Sequence, residues 1–250
     1  MKLGLEGRVA LVTGAARDVG REIAMSLAAE GAAVVVNYHS SEDRAAKVIE
    51  EIKAAGGRAI AVGADIADMD AVKRMVDRTA KEFGRLDILV NNAGLVIRKR
   101  FAESNPEEWR KQIDTCLFGT INCCHAAGPL IEAGKAGRII SLMGDSSRVG
   151  ESGLAIAGAA RAGVIALMKS LAREMGRSGT TCNSISLGLV ETAHDREWVE
   201  TNREKLVRFY PVRRLGKPGD VAPMVTLLAS DQGGWITGQV ISVSGGYSMV

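Results

Sequence analysis

The segment Thr13-Gly14-Ala15-Ala16-Arg17-Asp18-Val19-Gly20 has the residue types that hold a phosphate. Gly14 permits a tight turn, Gly20 lets a helix approach a strand closely, and the unpaired N–H groups of a helix N-terminus attract an anion. Arg17 adds a cation to this turn and Asp18 a carboxylate. A carboxylate there can cap the helix, and it also repels a phosphate placed close by. Further along, Ser141, Asp145, Ser146 and Ser147 gather near one strand end, Arg161 lies in an alanine-rich helical run, and His194 and Tyr210 fall in an irregular segment. Hydroxyl, imidazole and phenol groups move protons when held within hydrogen-bond reach of a reacting oxygen. A guanidinium stays charged, so Arg161 reads as a group that holds a ligand rather than as an acid or base.

Such groups act only where secondary structure positions them. Arg8–Thr13 is a short apolar strand pattern, and Arg21–Glu30 repeats its apolar residues at helical spacing. The alternation continues through strand Ala33–Asn37, helix Ser41–Ala55, strand Ala59–Ala64, helix Met69–Phe83 and strand Leu86–Asn91. Pro106–Gly134 is mostly helical, Gly137–Leu142 a strand, Gly153–Met175 a long helix, and Thr181–Ser186 and Gly238–Val243 the last strands. This order predicts an α/β fold with a doubly wound parallel sheet covered on both faces. No linker-like stretch interrupts it, so residues 1–250 form a single domain. Val190–Gly216 is the longest irregular or helical insertion, placed to cover a crevice beyond the strand ends.

Composition narrows the function classes. The 250 residues are 46% hydrophobic and 24% charged, an ordinary globular balance. With 32 Lys+Arg against 29 Asp+Glu, the net charge of +3 is too small and dispersed for a nucleic-acid surface. Cys116, Cys123, Cys124 and Cys182 show no paired CxxC spacing, so they read as buried free thiols and no metal site is expected. No apolar run approaches the ~20 residues that span a bilayer, and no signal-peptide pattern opens the chain. The expectation is a cytoplasmic protein without membrane partners.

The phosphate-type turn resembles the TGxxxGxG turn of the short-chain dehydrogenase/reductase family, with Asp18 at the middle glycine. Asp65-Ile66 and Asn91-Asn92-Ala93-Gly94 at strand ends, Trp235-Ile236-Thr237-Gly238-Gln239 before the last strand, and the Gly245-Gly246 tail match family motifs in the same order. The resemblance covers essentially the whole chain and implies a Rossmann fold with a nicotinamide cofactor. It assigns cofactor binding to Gly14, Arg17, Val19, Gly20, Asn37, Ser40, Asp65, Ile66, Asn92, Ala93, Gly94 and Thr192. Members preferring NAD usually carry an acidic residue at the end of the second strand; here the chain reads Asn37-Tyr38-His39-Ser40-Ser41. With Arg17 and the Ser40 and Ser41 hydroxyls nearby, NADP is favoured over NAD.

Active members of that family use Asn, Ser, Tyr and Lys together. Read in register, those positions hold Cys116, Gly144, Ala157 and Arg161, and Leu187-Gly188 stands where the family has Pro-Gly. This leads to the expectation of a catalytically silent subunit, a pseudoenzyme that joins an active paralogue of the family in a heterotetramer, with a homotetramer as the other assembly. The loop Asp145–Gly153 resembles that of members acting on 3-hydroxyacyl-CoA compounds, and Arg98-Lys99-Arg100 either attract a phosphorylated acyl carrier or form a solvated basic loop. Two alternatives stay open: an NADP-dependent oxidoreductase with a non-standard proton donor, supplied by Tyr210, His194 or water, and a dinucleotide-binding sensor.

Overall fold

Runs of branched apolar residues without polar interruption make strands that are buried on both faces. Val9–Val12 (β1), Ala33–Tyr38 (β2) and Ile88–Asn91 (β4) are of this kind. The computed structural model describes residues 3–192 and 196–250. With Arg58–Gly63 (β3), Arg138–Gly144 (β5), Thr181–Leu187 (β6) and Val240–Val243 (β7), the described strands form one sheet in the order β3-β2-β1-β4-β5-β6-β7. Every pairing is parallel, and β3, at one edge of the sheet, leaves Arg58, Ala61 and Gly63 exposed.

Helices cover both faces. On one side, Asp18–Ala29 (α1), Glu42–Ala54 (α2) and Pro218–Ala229 (α9) pack Ile23, Leu27, Val48, Ile52, Val221 and Leu228 against Val12, Val34 and Ile140. On the other, Met69–Phe83 (α3), Gly119–Ala133 (α5) and Ala155–Glu174 (α7) pack Val72, Met75, Ile131, Val164 and Met168 against Leu11, Leu89 and Ile139. The single-domain, doubly wound parallel architecture expected from the alternation is the observed one.

Where the structure departs from the sequence reading, local chemistry accounts for it. The expected helical stretch Pro106–Gly134 is divided into Pro106–Ile113 (α4), a wide turn over Asp114–Phe118, and α5. That turn carries Cys116, and such one-turn widenings often mark functional positions. The sequence reading assigned no element to Pro218–Ala229; α9 forms there with Pro223 inside it, started by Pro218 at its first turn and by the Asp220 carboxylate accepting the Lys217 N–H at 2.7 Å. The expectation that no apolar run is long enough to cross a membrane is corrected by α7 and the turn after it. Within Ala155–Ser178 an 18-residue stretch reaches mean hydropathy 1.4, long and apolar enough by composition alone, although Val164, Met168 and Ala172 of this helix pack on the sheet.

The four cysteines are free and buried, as expected. Burial pushes the Cys124 and Cys182 thiols up to about 12 and raises Cys123 as well, so these three behave as small apolar residues rather than nucleophiles.

Candidate active site

From the adjacent central strands β1 and β4 the connections leave toward opposite edges, which opens a crevice beyond their carboxyl ends. A cleft of about 1440 Å³ fills it, and every residue assigned to cofactor binding from the sequence borders this one cleft, from Gly14 to Thr192. His194 lies outside the described residues.

At the phosphate end, Gly14 adopts φ +62°, and a Cβ there would stand 3.0 Å from the Ala93 Cα. A Cβ on Gly20 would meet the Gly14 carbonyl oxygen at 2.4 Å and Asn92 Nδ2 at 2.5 Å. Thr13 Oγ1 accepts the N–H groups of Asn92 and Ala93, each at 3.0 Å, while Asn92 Nδ2 donates to the carbonyls of Thr13 at 2.9 Å and Gly14 at 3.2 Å. These bonds fasten the end of β4 to the turn after β1. The first residues of α1 border the cleft, and the N–H groups of a first helical turn have no intrahelical acceptor. The arrangement fits the pyrophosphate of a dinucleotide.

Asp18 does not cap α1 from outside. The residue preceding the helix is Arg17, whose side chain makes no capping bond, and Asp18 is the first helical residue with φ +49°, its carboxylate 3.7 Å from Arg17 Nε. Left-handed backbone suits glycine and is tolerated by aspartate at a cost of about 1 kcal/mol. Asp18→Gly is therefore expected to tighten binding of a dinucleotide severalfold by removing a carboxylate from the phosphate end, while stability changes by less than about 1 kcal/mol because relief of strain opposes the lost charge at a helix N-terminus. Fluorescence titration and urea unfolding check the two parts.

Toward the far end, Asn37 is buried and its amide is used internally. Its Oδ1 accepts the Gly14 N–H at 3.2 Å, and its Nδ2 donates to the Ala64 carbonyl at 3.1 Å and the Val62 carbonyl at 3.3 Å. It thus locks β2, β3 and the turn together at the cleft edge. Arg17, His39, Ser40 and Ser41 form the rim there, with His39 Nε2 3.8 Å from Asp65 Oδ2.

At the opposite end, Gly144 closes β5, and Asp145 follows it before the short helix Ser146–Val149 (α6), 2% exposed, its Oδ1 accepting the Ser186 hydroxyl and its N–H donating to the Leu187 carbonyl at 2.8 Å. Arg161 and Gly144 border the cleft, whereas Ala157 and Cys116 are buried beside it. Cys116 Sγ donates to the Leu95 carbonyl at 3.2 Å and accepts the Leu95 N–H at 3.3 Å, which holds the loop after β4.

The segment expected to cover the crevice does so. Val190 bridges to Gly216, Arg196–Val207 forms a helix (α8), and Trp198, Leu206, Phe209 and Tyr210 wall the cleft. Tyr210 is 5% exposed and stacks on Tyr247 at 5.5 Å, and its hydroxyl accepts the Leu189 N–H at 2.9 Å. Gly188 makes room for the ring, since a Cβ there would lie 2.9 Å from Tyr210 Cε1, and Gly245 packs beside it, its own Cβ position 2.8 Å from Val212 Cγ2. Burial raises the Tyr210 pKa, the Leu189 N–H partly opposes this, and the nearby Tyr247, Glu151 and Asp145 raise it further. Of the basic loop, Arg98 pairs with Glu151 at 2.9 Å and lies 5.3 Å over the Trp198 ring, and Lys99 pairs with Glu108 at 2.9 Å. Sequence reasoning placed the covering segment without singling out Trp198, Leu206 or Phe209 in it, and missed Tyr247, whose only signal was the Gly245-Gly246 pair that folds the C-terminal segment back against Pro211 and Val212.

Comparison with known proteins places this geometry. A family model described as enoyl-(acyl carrier protein) reductase matches residues 14–248. The chain is 42% identical over 240 residues to the 3-oxoacyl-[acyl-carrier-protein] reductase FabG of Staphylococcus aureus, covering 96% of this chain and 98% of that protein. It is 36% identical over 247 residues to the (2S)-[(R)-hydroxy(phenyl)methyl]succinyl-CoA dehydrogenase subunit BbsD of Thauera aromatica, covering 99% of each. A Burkholderia cenocepacia short chain dehydrogenase crystallised with NADP superposes with TM-score 0.92 at 34% identity, covering 98% of this chain and 99% of that one. The end-to-end likeness to relatives named as reductases overturns the expectation of a catalytically silent subunit. That expectation weighed four positions and gave too little to the rest of the site.

Proposed function

Because the chain belongs to the short-chain dehydrogenase/reductase family, we propose that it is an active NADP-dependent oxidoreductase that interconverts a 3-oxoacid derivative and its 3-hydroxy counterpart, with Tyr210 as a non-standard proton donor. The observation that carries this reading is the Tyr210 hydroxyl. It lies in the cleft wall and accepts one backbone N–H, and among the described residues it donates to no acceptor, so its proton is available to a substrate oxygen. In this reading Cys116, Gly144, Ala157 and Arg161 stand where the family has Asn, Ser, Tyr and Lys, and the acid–base task has moved from α7 to the covering segment.

The dinucleotide, when bound, supplies the hydride. The chain's own residues do the remainder. The Gly14–Gly20 turn and the start of α1 hold the phosphates, and Arg17 with Ser40 and Ser41 supports a 2′-phosphate by charge-assisted hydrogen bonds. Trp198, Leu206 and Phe209 give the reacting end an apolar wall. A raised pKa keeps Tyr210 protonated at neutral pH, the form that donates to a developing alkoxide. The names of the relatives, one a 3-oxoacyl reductase and one a hydroxyacyl-CoA-type dehydrogenase subunit, support the substrate class.

A titration of the purified chain with NADPH and with NADH, followed by nicotinamide fluorescence, tests the cofactor part. NADPH is expected to bind about tenfold more tightly or better, the scale of one charge-assisted contact. Equal affinity, or no binding of either at millimolar concentration, contradicts it.

A further inference from the structure

Arg161 projects from the second turn of α7 to the floor of the cleft, where two glycines flank its guanidinium. A Cβ on Gly94 would lie 2.7 Å from Nη2, and one on Gly144 would lie 3.5 Å from Nη1. The fork therefore lies between the ends of β4 and β5, close against Gly94, where a side chain would crowd it, and in ordinary contact distance of Gly144. Ser146 Oγ would stand 3.3 Å from that same Gly144 Cβ, so its hydroxyl is a neighbour of the fork.

The other arginines that border the cleft have anionic neighbours: Arg98 pairs with Glu151, and Arg17 lies near Asp18. Among the described residues, no hydrogen bond or ion pair engages the Arg161 guanidinium or the Ser146 hydroxyl. Asp145, next to Gly144 in the chain, directs one carboxylate oxygen to Ser186 and does not pair with Arg161. A partly buried cation without a counter-ion is unfavourable, and a planar fork matches a carboxylate through two parallel hydrogen bonds, a geometry that a lysine does not offer.

We propose that Arg161, assisted by Ser146, binds a free carboxylate of the substrate. The substrate is then an oxoacid or hydroxyacid that keeps a negative charge near the reacting carbon, and a neutral ester of the same skeleton is a poor ligand. This rests on the oxidoreductase reading for its meaning, although the binding itself requires no turnover.

Titration calorimetry of the full chain with acetoacetate and with ethyl acetoacetate tests it. Acetoacetate is expected to bind about tenfold more tightly or better than the ester. Arg161→Met removes the preference, Arg161→Lys keeps part of it because the charge remains without the fork, and Arg100→Gln, an exposed residue outside the cleft, leaves it unchanged. Circular dichroism confirms that each variant is folded, and the lysine variant carries the test if the methionine variant is not. Equal affinity for acid and ester, no binding of either, or an Arg161 variant that weakens only NADPH overturns the proposal. If the acid is preferred while no probe supports NADPH oxidation, the functional reading falls and the carboxylate site stands.

Discussion

Replacing Tyr210 with Phe is expected to lower kcat for carbonyl reduction by about 10²–10⁴-fold, the usual contribution of a positioned general acid. NADPH affinity should stay close to that of the parent, because the tyrosine walls the substrate end and not the phosphate turn. A purely structural role would give a different pattern. Phenylalanine leaves the Leu189 N–H without its acceptor, which costs about 1–3 kcal/mol of stability and lowers the unfolding midpoint without cutting the rate of the folded fraction. The pH profile separates the two. Reduction needs the protonated phenol, and burial, with Tyr247, Glu151 and Asp145 nearby, holds its pKa above the ordinary tyrosine value of about 10. The parent rate should be level through neutral pH and fall only on the alkaline side of that value, and the variant should lose this limb. A variant that keeps both the rate and the limb places the proton donor elsewhere.

The second large effect is at Gly20. A methyl group there would stand 2.4 Å from the Gly14 carbonyl oxygen, 2.5 Å from Asn92 Nδ2 and 2.9 Å from the Ala15 Cα, and two of the three are backbone atoms that cannot swing aside. Gly20→Ala is expected to cost about 1–3 kcal/mol or more, the range for overpacking a filled site. It should also break the Asn92 bonds that fasten β4 to the turn, so NADPH affinity falls by about tenfold or more, in line with the loss of a hydrogen-bonded phosphate cradle. Urea unfolding and cofactor titration read these separately. Gly56→Ala, with nothing within 4 Å of the added carbon but φ +84°, is a useful comparison, since it carries backbone strain without a clash.

The sheet was legible because its signal is local. Runs such as Val9–Val12 and Ala33–Tyr38 can only be strands buried on both faces, and helical spacing between them fixes the parallel crossover connections. The cofactor end was legible for a similar reason: Gly14, Gly20 and Asn92 act through backbone geometry that each residue type announces. The catalytic end was not. Tyr210 sits in the cleft wall with Gly188 making room for its ring, and Tyr247 and α8 complete the wall, contacts between segments far apart in the chain. Tyr210 stood in the sequence only as one alternative donor beside His194 and water, because the local pattern of an irregular segment does not tell which of its side chains faces the cleft. The role of Asn37 was also hidden, since an asparagine at a strand end looks the same whether its amide meets a ligand or, as here, its own backbone.

The measurement that tests the central claim most directly is NADPH oxidation by the purified full chain, with acetoacetate and acetoacetyl-CoA as separate substrates. Product is identified by mass spectrometry, using NADPH deuterated at the transferred position. The account predicts turnover that depends on the chain, with one deuterium carried into a 3-hydroxy product. Absence of turnover with either substrate, under conditions in which NADPH is bound, would contradict it.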